Sequence, residues 1–211
     1  MTSTPLHLSV NGRILRCMSW VPVDPPWGVP TPVQITDLHW LAYAESSETG
    51  SARAAGAVAT PAWVRGGQGA PVTARPEQPV TSALAQFEMW AAAALIGPDA
   101  PPPLKTLSEE LGVAYRRPLN ISPAEADGVR AALGWLLGRT RQPPLPLPER
   151  RADGQLVDVQ ELVEAAMAAA PHRIWGPEER HAARVEARAA VKGSRRLVDK
   201  IAAAQERLRT G

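Results

Sequence analysis

The period of the apolar positions changes along the chain. Near the start, Leu6, Leu8 and Val10 alternate with polar residues, which sends every second side chain to one face of a strand. Asn11-Gly12 then offers the two positive-φ positions of a type I′ turn, and Arg13 to Cys17 returns as a second strand. This β-hairpin gathers Leu6, Leu8, Leu15 and Cys17 on one face, and a two-stranded ribbon needs a surface to pack that face against. The stretch from Pro22 to Pro32 is too rich in proline for regular structure. Thr36 reads as the N-cap of a short helix with Leu38, Leu41 and Ala42 inward. From Ser46 to Val80 small and polar residues follow no period. The expectation is a long coil over 46–80, with a short strand around Ala62 to Arg65, either partly disordered or ordered by a partner.

Helical spacing dominates the remainder. Thr81 starts a helix to Ile96 with Leu84, Phe87, Ala91, Ala94 and Leu95 as its stripe, and Gly97-Pro98 stops it. Ser122-Pro123-Ala124-Glu125 combines a capping serine, a proline at the first helical position and an acid in the first turn. The helix it opens buries Val129, Ala132, Leu133 and Leu136 and ends at Gly138. A charged, proline-rich linker over 141–155 follows. Asp158, with Glu161, caps a helix on which Val159, Leu162, Val163, Ala166, Met167 and Ala170 share one side. Pro177, Glu178 and Glu179 then begin a helix that can run to Leu208. Its seam is Ala183, Ala187, Ala190, Ser194, Leu197, Ile201, Ala204 and Leu208, with Gly193-Ser194 as the expected kink. The expected fold is mainly α (α+β). An N-terminal body over 1–140 carries the β-hairpin and several helices, the linker follows, and an antiparallel helical hairpin occupies 156–211.

Charge is distributed unevenly over this plan. The net charge is +2 over 211 residues. From His172 onward there are ten Arg or Lys and five Asp or Glu, a net of +5, so the preceding residues carry −3. Arg180, Arg184, Arg188, Lys192, Arg196 and Lys200 recur every four residues, a spacing that makes them neighbours on a helix surface, and Arg195 widens the stripe at its centre. Like charges so placed repel. The stripe is therefore either a solvated face or a contact with a polyanion, and a nucleic acid would be met through its phosphates, non-specifically.

Other candidate chemistry is sparse. Leu107 to Ala114 resembles the first helix and turn of a helix-turn-helix, but Pro118 falls inside the required second helix, where Arg116 and Arg117 would otherwise face DNA. His7, His39, His172 and His181 share no metal-ligand spacing, and the lone Cys17 excludes a disulfide framework. Gly66-Gly67-Gln68-Gly69 lacks the lysine of a phosphate loop. Neither a signal peptide nor an apolar run of membrane-spanning length is present, so a cytoplasmic, soluble protein without cofactor or metal is expected. Trp40, Trp90 and Trp135 sit near apolar stripes. Trp20, Trp27, Trp63 and Trp175 lie in proline- or glycine-rich segments, where they read either as protein-interface anchors or as loop-pinning core.

The favoured expectation is a non-catalytic nucleic-acid-associated accessory or assembly subunit. It would touch phosphates through Arg180, Arg184, Arg188, Lys192, Arg195, Arg196 and Lys200, and other subunits through Trp27, Trp63 and Trp175. The alternative is a structural protein of a viral particle or other assembly. There Leu197, Ile201 and Leu208 of the helical hairpin would bind protein and the stripe would be solvated. A third reading, a small enzyme, needs a cleft around Cys17 or His39.

Overall fold

The computed structural model describes residues 23–76, 78–97 and 103–210. The β-hairpin expected over residues 6–17 lies outside them. Among the described residues there is no strand, and the one β pairing is an isolated antiparallel bridge between Arg150 and Leu156. The described residues form seven helices: α1 (Pro32–Thr49), α2 (Ala52–Val64), α3 (Ser82–Ala93), α4 (Leu104–Glu110), α5 (Pro123–Leu136), α6 (Val159–Ala169) and α7 (Pro177–Thr210). The mainly helical class is therefore observed, without a β component in the described part.

The expected coil over 46–80 is where the chain departs most from its pattern. The N-cap of α1 lies five residues before Thr36: it is Thr31, which forms a reciprocal capping box with Gln34 and is followed by Pro32. Thr36 is inside the helix, where its hydroxyl donates to the Pro32 carbonyl at 2.9 Å. α1 ends at Gly50, whose φ of 67° suits a residue without Cβ. Ser51 then caps α2, accepting from the Ala54 N–H at 3.2 Å. The strand expected at 62–65 is the last turn of this helix and its cap.

α2 is rich in alanine and carries Gly56 where it crosses α5 with nothing between the backbones. A Cβ on Gly56 would lie 2.0 Å from the Glu125 carbonyl oxygen, and one on Gly128 only 1.9 Å from the Arg53 carbonyl oxygen. No side chain fits in either place. The other faces of the crossing are filled by Ala54, Ala57, Ala126, Val129 and Ala132, all buried. α1 packs on α2, and α3 packs on α5.

Ile35, Leu38, Trp63, Phe87, Leu133 and Leu136 are the bulky members of the core. Trp63 is 0 % exposed, so it is a core filler and not the interface anchor expected of it. Trp27 is half-buried against the same cluster, and its indole N–H donates to the Val80 carbonyl at 2.7 Å. It pins the proline-rich crossing to the body.

The rest of the expected coil, residues 66–80, is held from inside by α3. Glu88 is fully buried, and one carboxylate oxygen accepts the backbone N–H groups of Val72 at 3.0 Å and Thr73 at 3.2 Å. The other oxygen accepts the Thr73 hydroxyl. The Arg75 guanidinium, equally buried, lies 3.5 Å from this carboxylate and 5.0 Å from the centre of the Phe87 ring, and donates to the Ala114 carbonyl at 2.8 Å. Burial pushes the Glu88 carboxyl above its ordinary range, against the hydrogen bonds from Thr73 and Val72 and the charge of Arg75. After α4 the chain turns at Gly112 (φ 64°) and runs irregularly, and the Leu119 N–H donates to the Val72 carbonyl at 2.8 Å. No second helix follows that turn, so a helix-turn-helix is not formed. Pro118 stands where the second helix would have been.

Two outcomes follow for stability. Gly128→Ala should lose about 1–3 kcal/mol in urea unfolding, because the added methyl forces the helices apart. Helix propensity alone would give a gain of about 1 kcal/mol, so the sign of the change decides whether the backbones touch. Arg75→Met leaves a buried carboxylate without its cation and should cost about 3–5 kcal/mol at pH 7. Glu88 already titrates above the unfolded carboxylate, so its stabilisation is complete at acid pH and fades as pH rises through the folded value. Removing Arg75 raises that value further, so the gap between wild type and variant should narrow as the pH is lowered.

Candidate nucleic-acid interface

α7 is 34 residues long, about 51 Å at the helical rise. Its seam faces the rest of the molecule: Ala187, Ser194, Ile201 and Ala204 are buried, and Ala183, Ala190 and Leu197 are half-buried. Ile201, expected as a protein-binding residue, is covered by the chain itself. Leu208 lies past the packed region and is 54 % exposed.

Three fastenings fix the orientation of this helix. Toward its C-terminus, Lys200 Nζ lies 3.2 Å from Glu45 and 3.3 Å from Glu48 of α1, and Arg207 donates to Glu48 at 3.0 Å. Arg207 first, and Lys200 after it, hold the Glu48 carboxyl below its usual range. At mid-helix, the Ser194 hydroxyl accepts the Glu149 N–H at 2.9 Å. The segment carrying Glu149 is itself tied to α1, because Arg150 grips Asp37 through two nitrogens at 2.7 and 3.3 Å and donates to the Gly154 carbonyl at 2.9 Å. Burial raises the Asp37 carboxyl despite Arg150 beside it. Nearer the N-terminus, α6 folds back on α7, with Leu162 and Ala166 beside Ala183, Ala187 and Ala190.

With the seam held inward, the cations divide into two groups. A four-residue step advances about 40° around a helix and about 6 Å along it, so the stripe winds across the outer face. Arg184, Arg188, Lys192, Arg195 and Arg196 lie on that face, exposed and without an ion pair or hydrogen bond among the described residues. No acidic residue occurs on α7 between positions 187 and 198. Glu186 points to the flank, lining the groove against Leu162 and Ala166. By Lys200 the stripe has wound round to α1, so this lysine is a clamp on Glu45 and Glu48 and not the free contact expected. Arg180, at the other end, is exposed and donates from Nε to the Trp175 carbonyl at 3.0 Å.

The turn between α6 and α7 belongs to the same surface. The Arg173 guanidinium lies 5.1 Å from the centre of the Trp175 ring and donates to Glu179 at 2.6 Å. That bond, with a second from the Gly176 N–H, lowers the Glu179 carboxyl. Trp175 is half-buried, and its indole N–H is enclosed without a partner in the described structure. Ile174 is 93 % exposed, the most exposed of the large apolar side chains among the described residues. Sequence spacing singled out Trp175 but passed over Ile174, because an isolated isoleucine between charged and aromatic neighbours carries no periodic signal.

The other candidates do not converge. His39 is half-buried beside Trp40, with ring centres 5.6 Å apart, and burial followed by the charge of Arg65 lowers its pKa. An apolar cleft lined by Val23, Pro25, Val64, Arg65, Gln78 and Val80 does not include His39. Cys17 lies outside the described residues. Among those described, no group of three His, Cys, Asp or Glu could hold a metal ion, and no helix is long and apolar enough to cross a membrane. Compared with known proteins, the chain matches no family, no curated protein and no solved structure.

The division of the cations has a direct consequence for stability. Replacing Arg188, Lys192 and Arg195 together by glutamine, a comparable helix former, should leave urea stability within about 0.5 kcal/mol of wild type, because exposed side chains without partners hold nothing in place. A loss of several kcal/mol would show that the outer stripe, like Lys200, is structural.

Proposed function

We propose that the protein is a non-catalytic nucleic-acid-binding accessory subunit that grips the phosphate backbone through the outer face of α7. The observation that carries this reading is the set of five exposed cations, Arg184, Arg188, Lys192, Arg195 and Arg196, on a helix whose opposite face is fastened to the body. Asp199, one turn beyond Arg195 and Arg196, forms no ion pair with either among the described residues; like charges at this spacing repel, and a polyanion relieves the repulsion while releasing its own counterions. Contact is to phosphates, because a winding line of long side chains offers no groove-reading surface. The competing reading makes the helical hairpin a protein-binding arm of a multi-protein or viral assembly. It is weakened by Ile201, whose surface is already used, and keeps Leu208 and Trp175 as its remaining contacts.

The test is a fluorescence-anisotropy titration against labelled single-stranded DNA, duplex DNA and single-stranded RNA in about 50 mM salt. Wild type should bind, and Arg184→Glu/Arg188→Glu/Lys192→Glu should weaken binding by at least about 100-fold. Absence of wild-type binding under these conditions would overturn the proposal. Binding that the triple variant retains would remove α7 from it.

A further inference from the structure

We infer that the α6–α7 turn inserts Ile174 between unpaired bases, so that the stripe on α7 engages single-stranded nucleic acid in preference to duplex. The inference rests on the phosphate-gripping reading of α7 and adds the kind of strand that surface takes. Its starting point is the position of the most exposed large apolar side chain among the described residues, Ile174 at 93 %, beside the first rung of the cation stripe. Arg180 donates to the carbonyl of Trp175, the residue next to Ile174, at 3.0 Å. The turn carrying Ile174 therefore abuts the first rung of the stripe.

The turn presenting Ile174 is braced. Arg173 stacks on the Trp175 ring and donates to Glu179, and the Gly176 N–H donates to the same carboxylate at 3.0 Å. An aliphatic side chain held out from a braced turn gains by leaving water. Beside a line of phosphates, the apolar surface within reach is the face of a base. Aliphatic wedges do enter base steps, and the unstacking they demand is smallest where the bases are already unpaired. A negatively charged membrane is the poorer occupant. The cations wind about the helix and do not lie in one plane, and the apolar seam that an interfacial helix would bury in lipid is turned toward α1 and α6.

The experiment uses the full chain and Ile174→Ser, a neutral change at a side chain with almost no packing. Each is titrated with a 12-nucleotide single strand, in DNA and RNA form, and with the matching duplex across a salt series. Vesicles containing phosphatidylserine serve as a further arm. Wild type should favour the single strand by about tenfold or more. Ile174→Ser should lose about five- to tenfold on the single strand and change less than about twofold on the duplex. Its salt dependence should match wild type, since no phosphate contact is removed. A 2-aminopurine placed in the strand should brighten on binding wild type and not the variant. Equal affinity of the two proteins for the single strand, a duplex preference, or tighter binding to the vesicles would overturn the inference. Where binding is lost in the stripe variants yet indifferent to Ile174, only this inference fails. Where wild type binds no nucleic acid, both fail.

Discussion

The fold depends on the contact of two helix backbones. α2 and α5 meet at Gly56 and Gly128, where the carbonyls of Glu125 and Arg53 occupy the space a side chain would take. That approach brings the alanines of both helices into contact and lets a core with few large residues reach close packing. Trp63, at the end of α2, and Leu133, on α5, are fully buried in consequence. α1 is laid against α2, and α3 against α5, so the positions of both follow from the crossing. α3 then supplies Glu88, which with Arg75 fastens an otherwise irregular segment to the core.

α1 is the link between this body and the basic helix. Its Asp37 receives Arg150, and its Glu45 and Glu48 receive Lys200 and Arg207. The Arg150 pair is largely buried and the others are partly exposed. They set the rotation of α7 more than they add to stability, because a partly solvated ion pair contributes little. Rotation matters here, since a quarter turn of α7 would bring the outer cations against the body. The acidic residues of α1 thus act as a counter-surface that selects which cations of α7 stay free.

Much of the helical framework was legible because capping chemistry is local. Thr81, Ser122 and Asp158 each accept the N–H three residues on, as their side chains and neighbours implied. The seam of α7 was legible too, as far as Ala204. α2 was not, because a helix built for backbone contact has the composition of a loop: Gly56 and its alanines give no apolar period, and Pro61 argues against any helix. The stripe itself was plain in the sequence, but Arg196 and Lys200 are indistinguishable there. They are separated only by Glu45 and Glu48, residues more than 140 positions away. For the same reason Trp63 and Trp175 looked alike. One fills the core, while the other braces an exposed turn.

The most direct measurement of the central claim is the slope of log affinity against log salt for single-stranded nucleic acid. Five free cations, each displacing a counterion, predict a slope of about −3.5. Mutating Lys200 should leave that slope unchanged, because Lys200 is already neutralised on α1. A slope near zero would contradict the account, and so would one that falls with loss of Lys200 but not of Arg188 or Lys192.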